Sequence, residues 1–398
     1  MPDTMPAEPT NPTSEALREA VASVMEAAWA PLGYTAPNPV TYPWMWLWDS
    51  CFHSLIWQAL GDDERAVVEL ESALSTIDGN GFVPHMGYQL DPRRSVELWG
   101  RSGASSITQP PMYGHAIAEL CRAGVEVRDE LLDRAVRGLR FFLDRRVRHA
   151  ESGLIEVVHP WETGCDDSPR WDDLAGPGTF DLKRWRELKN SLLASVERGS
   201  AGEPLANPDC AVAPCGFNAL VAFNAEELAT VTADRDLEIG ASELSAALDR
   251  RFDAESRTWV DAGALSSGSG RARTAEGLLP LLVSRSDVAC RRVLEELADP
   301  KAYCGSYGPR GVHAEEPAYD STAYWRGPVW PQLSYLLWLA VRRVSGEGSS
   351  VAGVLGASTV RGAAISGFAE YWDGDSGDGL GAIPQSWTGL ALLLDRGP

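Results

Sequence analysis

The stretch SEALREAVASVMEAAW, residues 14–29, carries Leu17, Val21, Val24, Met25 and Ala28 three or four residues apart. That spacing gathers them on one face of a helix. Similar stripes recur almost to the end of the chain. They predict helices near 14–30, 50–60, 62–76, 107–122, 128–146, 181–197, 216–230, 240–252, 274–284, 286–297, 328–345, 350–370 and 386–394. No region alternates polar and apolar residues between turn signals for long, so strands should be few and short. The expected class is all-α.

Between these helices lie long loops at 31–48, 79–106, 152–180, 198–215, 300–327 and 371–386. They recur every other helix, as they would if they opened on one face of a toroid of paired helices. No fixed repeat length runs through the sequence, which argues against a solenoid. Loops of this length in a compact domain are functional or disordered, and these are too rich in Trp, Tyr and Pro for disorder. The stretch SSGSGRARTAEG (266–277) is the exception, expected as a flexible surface loop whose glycines match no phosphate cradle. Residues 14–398 are expected to form a single domain behind a flexible leader at 1–13.

The chain has 398 residues, 44% of them hydrophobic, enough for a large core, and a formal charge of -21. Such an acidic protein is a poor partner for nucleic acid or an anionic membrane surface. No apolar run reaches the roughly 18 residues of a membrane span, and no secretory signal opens the sequence. Seven cysteines without a Cys-x-x-Cys pair read as reduced, mostly buried thiols. A cytoplasmic protein acting on a small neutral or acidic molecule is expected.

Six isolated histidines and the lack of a nucleophile elbow give no support to a hydrolase triad. No His-Glu-x-x-His occurs, and DGDSGDG (373–379) lacks the register of a calcium loop, so neither metal nor organic cofactor is expected. What remains is carboxylates among aromatics, in YPWMWLWDSCFH (42–53), RSGASSITQPPMYGH (101–115), HPWETGCDDSPRWDD (159–173), DSTAYWRGPVWP (320–331) and FAEYWDGDSGDGLGAIPQSWTGL (368–390). Paired carboxylates flanked by rings suit the cleavage of glycosidic bonds, in which one acid protonates the leaving oxygen and another activates water. Taken singly, Asp49 and Gln109 also read as helix caps, Trp46 and Trp48 as core, and Arg326 as a structural partner for a carboxylate. Glu370, placed by the pattern at a helix C-terminus where the dipole opposes an acid, has less structural reason to be there.

The segments WLWDSCFH, ITQPPM, the Glu-x-Gly-x-Asp of ETGCDD, YWRGPVWP, and EYWD followed by GLG and SWT resemble glycoside hydrolase family 63 over roughly residues 30–395. Within that family the resemblance is to bacterial mannosylglycerate and glucosylglycerate hydrolases. It implies an (α/α)6 barrel, a six-hairpin toroid with long aromatic loops on one face, and an inverting exo-acting α-glycosidase without metal or cofactor. It implies Asp166 as general acid and Glu370 as general base. It places Tyr42, Trp46, Trp48, Asp49, Gln109, Trp161, the backbone of Gly164, Tyr324, Trp325 and Trp330 around the sugar and aglycone, with Tyr88 a weaker match. An inverting pair should stand roughly 6.5–9.5 Å apart to admit water. Asp167 is expected to act on Asp166 by like-charge repulsion, and Glu162, Asp172 and Asp173 to fix the loop or face solvent.

The chain departs from the family at Thr163 and Cys165. Glycerate-specific members grip the glycerate with an Arg and a Tyr downstream of the acid; residues 187–220 here hold Arg198 and no tyrosine. A specialised glycosidase acting on a glycosylated secondary metabolite is therefore a second reading, and a sugar-binding module without catalysis a third.

Overall fold

The computed structural model describes residues 11–344 and 348–395. Its α-helices are α1 (Ser14–Ala28), α2 (Leu47–Leu60), α3 (Asp63–Ala73), α4 (Pro92–Trp99), α5 (Tyr113–Arg122), α6 (Asp129–Arg140), α7 (Asp172–Ala175), α8 (Leu182–Leu192), α9 (Cys215–Thr232), α10 (Arg235–Asp249), α11 (Asp287–Ala298), α12 (Pro331–Arg343), α13 (Gly348–Ile365) and α14 (Ala391–Leu394). Among the described residues, strands occur only as antiparallel pairs of two or three residues per strand.

Two kinds of helix can be told apart by burial. In α1 only Leu17, Val21, Met25 and Ala28 are buried, and Thr13 caps its start by accepting from the Ala16 amide at 3.3 Å. Thr13, the last residue of the expected leader, thus serves as the cap of α1, and residues 1–10 lie outside the described residues. By contrast α2, α5, α9 and α12 are buried around nearly their whole circumference. These packed helices form a closed inner circuit: α2 touches α5, α5 touches α9, α9 touches the 3-10 segment Glu276–Leu282, that segment touches α12, α12 touches the turn Ser386–Leu390, and the turn returns to α2. The one-sided helices α1, α3, α6, α10, α11 and α13 pack outside it. The molecule is a helix-rich barrel of paired helices, with the core between the two layers.

Several helix ends differ from the pattern. Pro110 and Pro111 hold α5 back to Tyr113. Pro280 keeps 276–282 in 3-10 form. The helix expected over 350–370 stops at Ile365, where Gly367 (φ 70°) and Phe368 (φ 59°) turn the chain. Helix α4 was not expected at all, because Ser95 is its only buried residue and there is no apolar stripe to detect.

Beneath the inner helices Glu69 of α3 is fully buried, its Oε1 accepting from the Thr35 amide at 2.6 Å. Its Oε2 has no partner among the described residues. Burial pushes its carboxyl up to about 8. An acid that binds its proton more tightly when folded loses stability as pH rises from its unfolded value of about 4 toward its folded one. Glu69→Gln should therefore stabilise the protein by an increment that grows from near zero at about pH 4 to a few kcal/mol at about pH 8, read as the Tm difference between variant and parent at the two pH values.

Candidate active site

The loop 159–173 is held by charge. Glu162 is fully buried and paired with Arg146 at 2.7 Å, while its oxygens also accept from the amides of Val158 and Thr108. Arg170 is buried and binds Asp261 through two bonds of 2.7 and 2.8 Å; it also donates to the carbonyls of Trp259, Gly270 and Ala272. Asp172 takes two bonds of 2.8 Å from Arg326. Asp173 accepts from the Ser269 amide at 2.7 Å. The 266–277 stretch is consequently not free: Ser269 and Gly270 are fastened to the acid loop, a use of its polar backbone that composition cannot announce.

Held this way, the loop presses Gly164 onto Trp48. Gly164 has φ 74°, and a Cβ there would come within 1.9 Å of the Trp48 ring, so no other residue fits. Asp166 follows at the cavity. Its Oδ2 accepts from Lys189 at 2.6 Å, and the same ammonium reaches Asp167 Oδ1 at 2.5 Å. Asp167 therefore does not simply repel Asp166; the two share a buried cation. The Asp167 carboxyl is pushed up, by burial first and by Asp166 second.

Glu370 enters from the opposite loop. It lies beyond the end of α13, not on it, so the helix dipole has no hold on it. Its Oε2 accepts from the Ala382 amide at 2.9 Å and its Oε1 from Tyr42 Oη at 3.2 Å. Burial pushes its carboxyl up, with Asp166 adding to the effect. Gly381 makes the Ala382 contact possible: at φ 72° it lies so close that a Cβ would stand 2.4 Å from Glu370 Oε2. Asp49 caps nothing; Trp46 occupies the cap of α2 and Asp49 sits buried in its first turn, its carboxyl pushed well up by burial. Gln109 does cap a helix, though not the one that follows it: its Oε1 accepts from the Trp48 amide at 3.2 Å in the first turn of α2.

These side chains meet in one cavity of about 270 Å³ lined by Tyr42, Trp46, Trp48, Asp49, Gln109, Trp161, Gly164, Asp166, Tyr324, Trp325 and Glu370. It is at the lower edge of the roughly 300–1,000 Å³ usual for small-molecule sites. Trp330 and Tyr88 stand a layer behind. Trp330 lies flat beneath Trp325, with centroids 3.6 Å apart and planes at 4°, and Tyr88 accepts from Trp99 Nε1 at 2.9 Å. Pro37, His85, Met86, Trp99, Gln385 and Trp387 also line the wall. Gln385 and Trp387 sit inside a stretch already notable for its aromatics, whereas Lys189, on the buried stripe of α8, carried no signal. The 198–215 loop contributes nothing to the lining. Arg198 there donates to the Ser106 carbonyl and hydroxyl at 2.8 and 3.1 Å. His53 meets Ser386 Oγ at 2.7 Å, but both are sealed from solvent and burial lowers the histidine to about 3, which makes this a structural contact.

A family model described as the mannosylglycerate hydrolase MGH1-like glycoside hydrolase domain matches residues 42–388. The chain is 29% identical to glucosylglycerate hydrolase of Mycolicibacterium hassiacum, over 90% of this chain and 93% of the relative. It is 26% identical to mannosylglycerate hydrolase of Thermus thermophilus, over 91% and 97%. Among solved structures, a family 63 mannosylglycerate hydrolase of Thermus thermophilus in complex with Tris and D-glycerate superimposes with a TM-score of 0.82 at 24% identity, covering 96% of this chain and all of the other. Neutral trehalase of Saccharomyces cerevisiae shares the fold at a TM-score of 0.59 and 15% identity, over 99% of this chain and 80% of the other. The chain belongs to the mannosylglycerate hydrolase-like glycoside hydrolases of family 63 and is a glycoside hydrolase.

Because the Glu370 carboxylate fills the space above Gly381, Gly381→Ala should displace it. The expected outcome is a fall of at least a hundredfold in turnover with a Tm shift of a few degrees, measured by steady-state kinetics beside thermal melts.

Proposed function

We propose that residues 14–398 form one catalytic domain, a six-hairpin (α/α)6 barrel, that hydrolyses a small α-glycoside the size of glucosylglycerate or mannosylglycerate by an inverting, exo-acting mechanism. The observation that carries this reading is the placement of Asp166 and Glu370 in a single indole-walled cavity. They arrive on loops far apart in the chain and are held by different partners.

In this reading Asp166 is the general acid. Lys189 fixes Oδ2, leaving Oδ1 to carry the proton that passes to the glycosidic oxygen as the bond to the anomeric carbon breaks. Glu370 is the general base. It takes a proton from a water whose oxygen bonds the anomeric carbon from the opposite face, so that an α-glycoside yields a β-sugar. A carboxyl pushed up by burial is a stronger base than an ordinary carboxylate, which suits the role. Tyr42 and the Ala382 amide aim it.

Sugar recognition is assigned to Trp46, Trp48, Asp49, Gln109, Trp161, Trp325 and Tyr324. The indole N–H groups of Trp46, Trp48 and Trp325 and the Oε1 of Gln385 are buried without a partner among the described residues. The rings of these tryptophans line the cavity and offer flat faces to the C–H surface of a sugar. Trp330 and Tyr88 serve as the backing that keeps Trp325 and Trp99 in place.

No helix among the described residues is long and apolar enough to cross a membrane. A cytoplasmic setting belongs to the same reading and agrees with seven cysteines all left as free thiols.

Asp166→Asn and Glu370→Gln should each lower hydrolysis of aryl α-glucosides and α-mannosides by about a thousandfold or more without loss of fold, checked by kinetics and circular dichroism. Proton NMR of the first turnovers by the parent enzyme should show the β-anomer before mutarotation. An initial α-anomer would rule out the inverting mechanism.

A further inference from the structure

Next to the proposed acid, every cation already has a carboxylate. Lys189 is shared by Asp166 and Asp167, Arg146 is paired with Glu162, Arg170 with Asp261, and Arg326 with Asp172. None of these cations forms part of the cavity wall, whose acidic members are Asp49, Asp166 and Glu370. The lining residues on the Trp161 side carry no cation, although the Lys189 ammonium lies behind them, 5.7 Å from the centre of the Trp161 ring. Trp161 packs edge-on to Trp99 at 5.9 Å, Trp99 packs on His85 at 5.0 Å, and Met86 adjoins them. His85 is neutral at ordinary pH, since burial lowers it to about 3.

In an inverting glycosidase the group that leaves is the one next to the acid, so the aglycone of the substrate lies against this side of the cavity. A carboxylate placed there would be desolvated against indoles and a thioether, with no cation in the lining to receive it. Lys189 is already held between the carboxyl groups of Asp166 and Asp167. Arg198 has no ion pair among the described residues and keeps its charge, but it is turned to the Ser106 carbonyl and hydroxyl and the Gly202 carbonyl and stands outside the lining.

Resting on the glycosidase reading above, we infer that this enzyme takes an α-glycoside with an uncharged aglycone: a small polyol or similar neutral alcohol where the named relatives act on glycosides of glycerate. The Trp99–Trp161 surface then receives the C–H faces of the aglycone, and no ion pair is needed.

The test compares substrates that differ only in that group. Initial rates are measured on α-glucosylglycerol and α-glucosylglycerate, and on the two mannosyl counterparts, at low and at moderate ionic strength. The glycerol glycoside should have a kcat/KM at least tenfold higher, with the gap narrowing as salt screens the repulsion. Equal or better turnover of the glycerate glycoside overturns the inference while leaving the glycosidase reading intact. In that event a loss of the glycerate preference in Arg198→Gln would identify the missing cation. Hydrolysis of none of the four, nor of aryl α-glucosides and α-mannosides, removes the glycosidase reading and this inference with it.

Discussion

The guanidinium of Arg170 is the fixed point from which the site is built. Two bonds to Asp261 and three to backbone carbonyls engage all three of its nitrogens, in a position only 3% exposed. It joins the acid loop to the turns at 259–272, and Asp261 in turn accepts from the Cys215 amide at the start of α9. The loop could not otherwise remain folded, because it brings several carboxylates into a region where an unpaired charge would cost several kcal/mol. Glu162, Asp167 and Asp172 are each paired with a cation. Once the loop is fixed by these pairs, Gly164 lies against Trp48, and the position of Asp166 relative to α2 is set to within a van der Waals contact.

On the far wall the device is different. Among the described residues Glu370 has no cation; it is held by an amide, a phenol and a glycine that leaves room for it. Two carboxylates in one cavity are thus given unlike environments, one beside an ammonium and one beside neutral donors. The surrounding rings bury Glu370, which strengthens its contacts, while Asp166 stays partly exposed to the cavity.

How much of this could be read in advance depended on the kind of signal. The helices of the outer layer were legible because each has one buried stripe; the inner ones were found because their apolar content is high throughout. Helix ends were misplaced where a local turn decided them, as at Gly367 and Phe368, since nothing in the periodicity marks a left-handed residue other than glycine. Most of the candidate wall was legible because Trp and Tyr in Gly- and Pro-rich loops have few structural uses. Lys189 was not, because a lysine on an amphipathic helix is usually a solvated one, and only the third dimension brings it to Asp166 and Asp167. For the same reason the 266–277 stretch read as a free loop: its role is to offer carbonyls and an amide, which every residue possesses.

Two bulky residues next to the cavity, Trp325 (φ 60°) and Phe368 (φ 59°), hold left-handed backbone that costs roughly 1–2 kcal/mol for a residue with a Cβ. Neither is at a position where glycine would serve as well. Trp325 is fixed by the flat stack on Trp330, which is itself stacked on Tyr371 at 4.5 Å. Tyr371 follows Glu370 directly and pairs with Leu380 across the strand pair that leads into Gly381. The strained turn at Phe368 starts the same segment, and Gln385 returns to it by donating its amide to the Phe368 carbonyl at 2.7 Å. The aromatic stack and the Glu370 segment therefore form one mechanical unit. Backbone strain at both ends is offset by ring burial in the middle, and the result is that the cavity wall and the proposed base cannot move independently of one another.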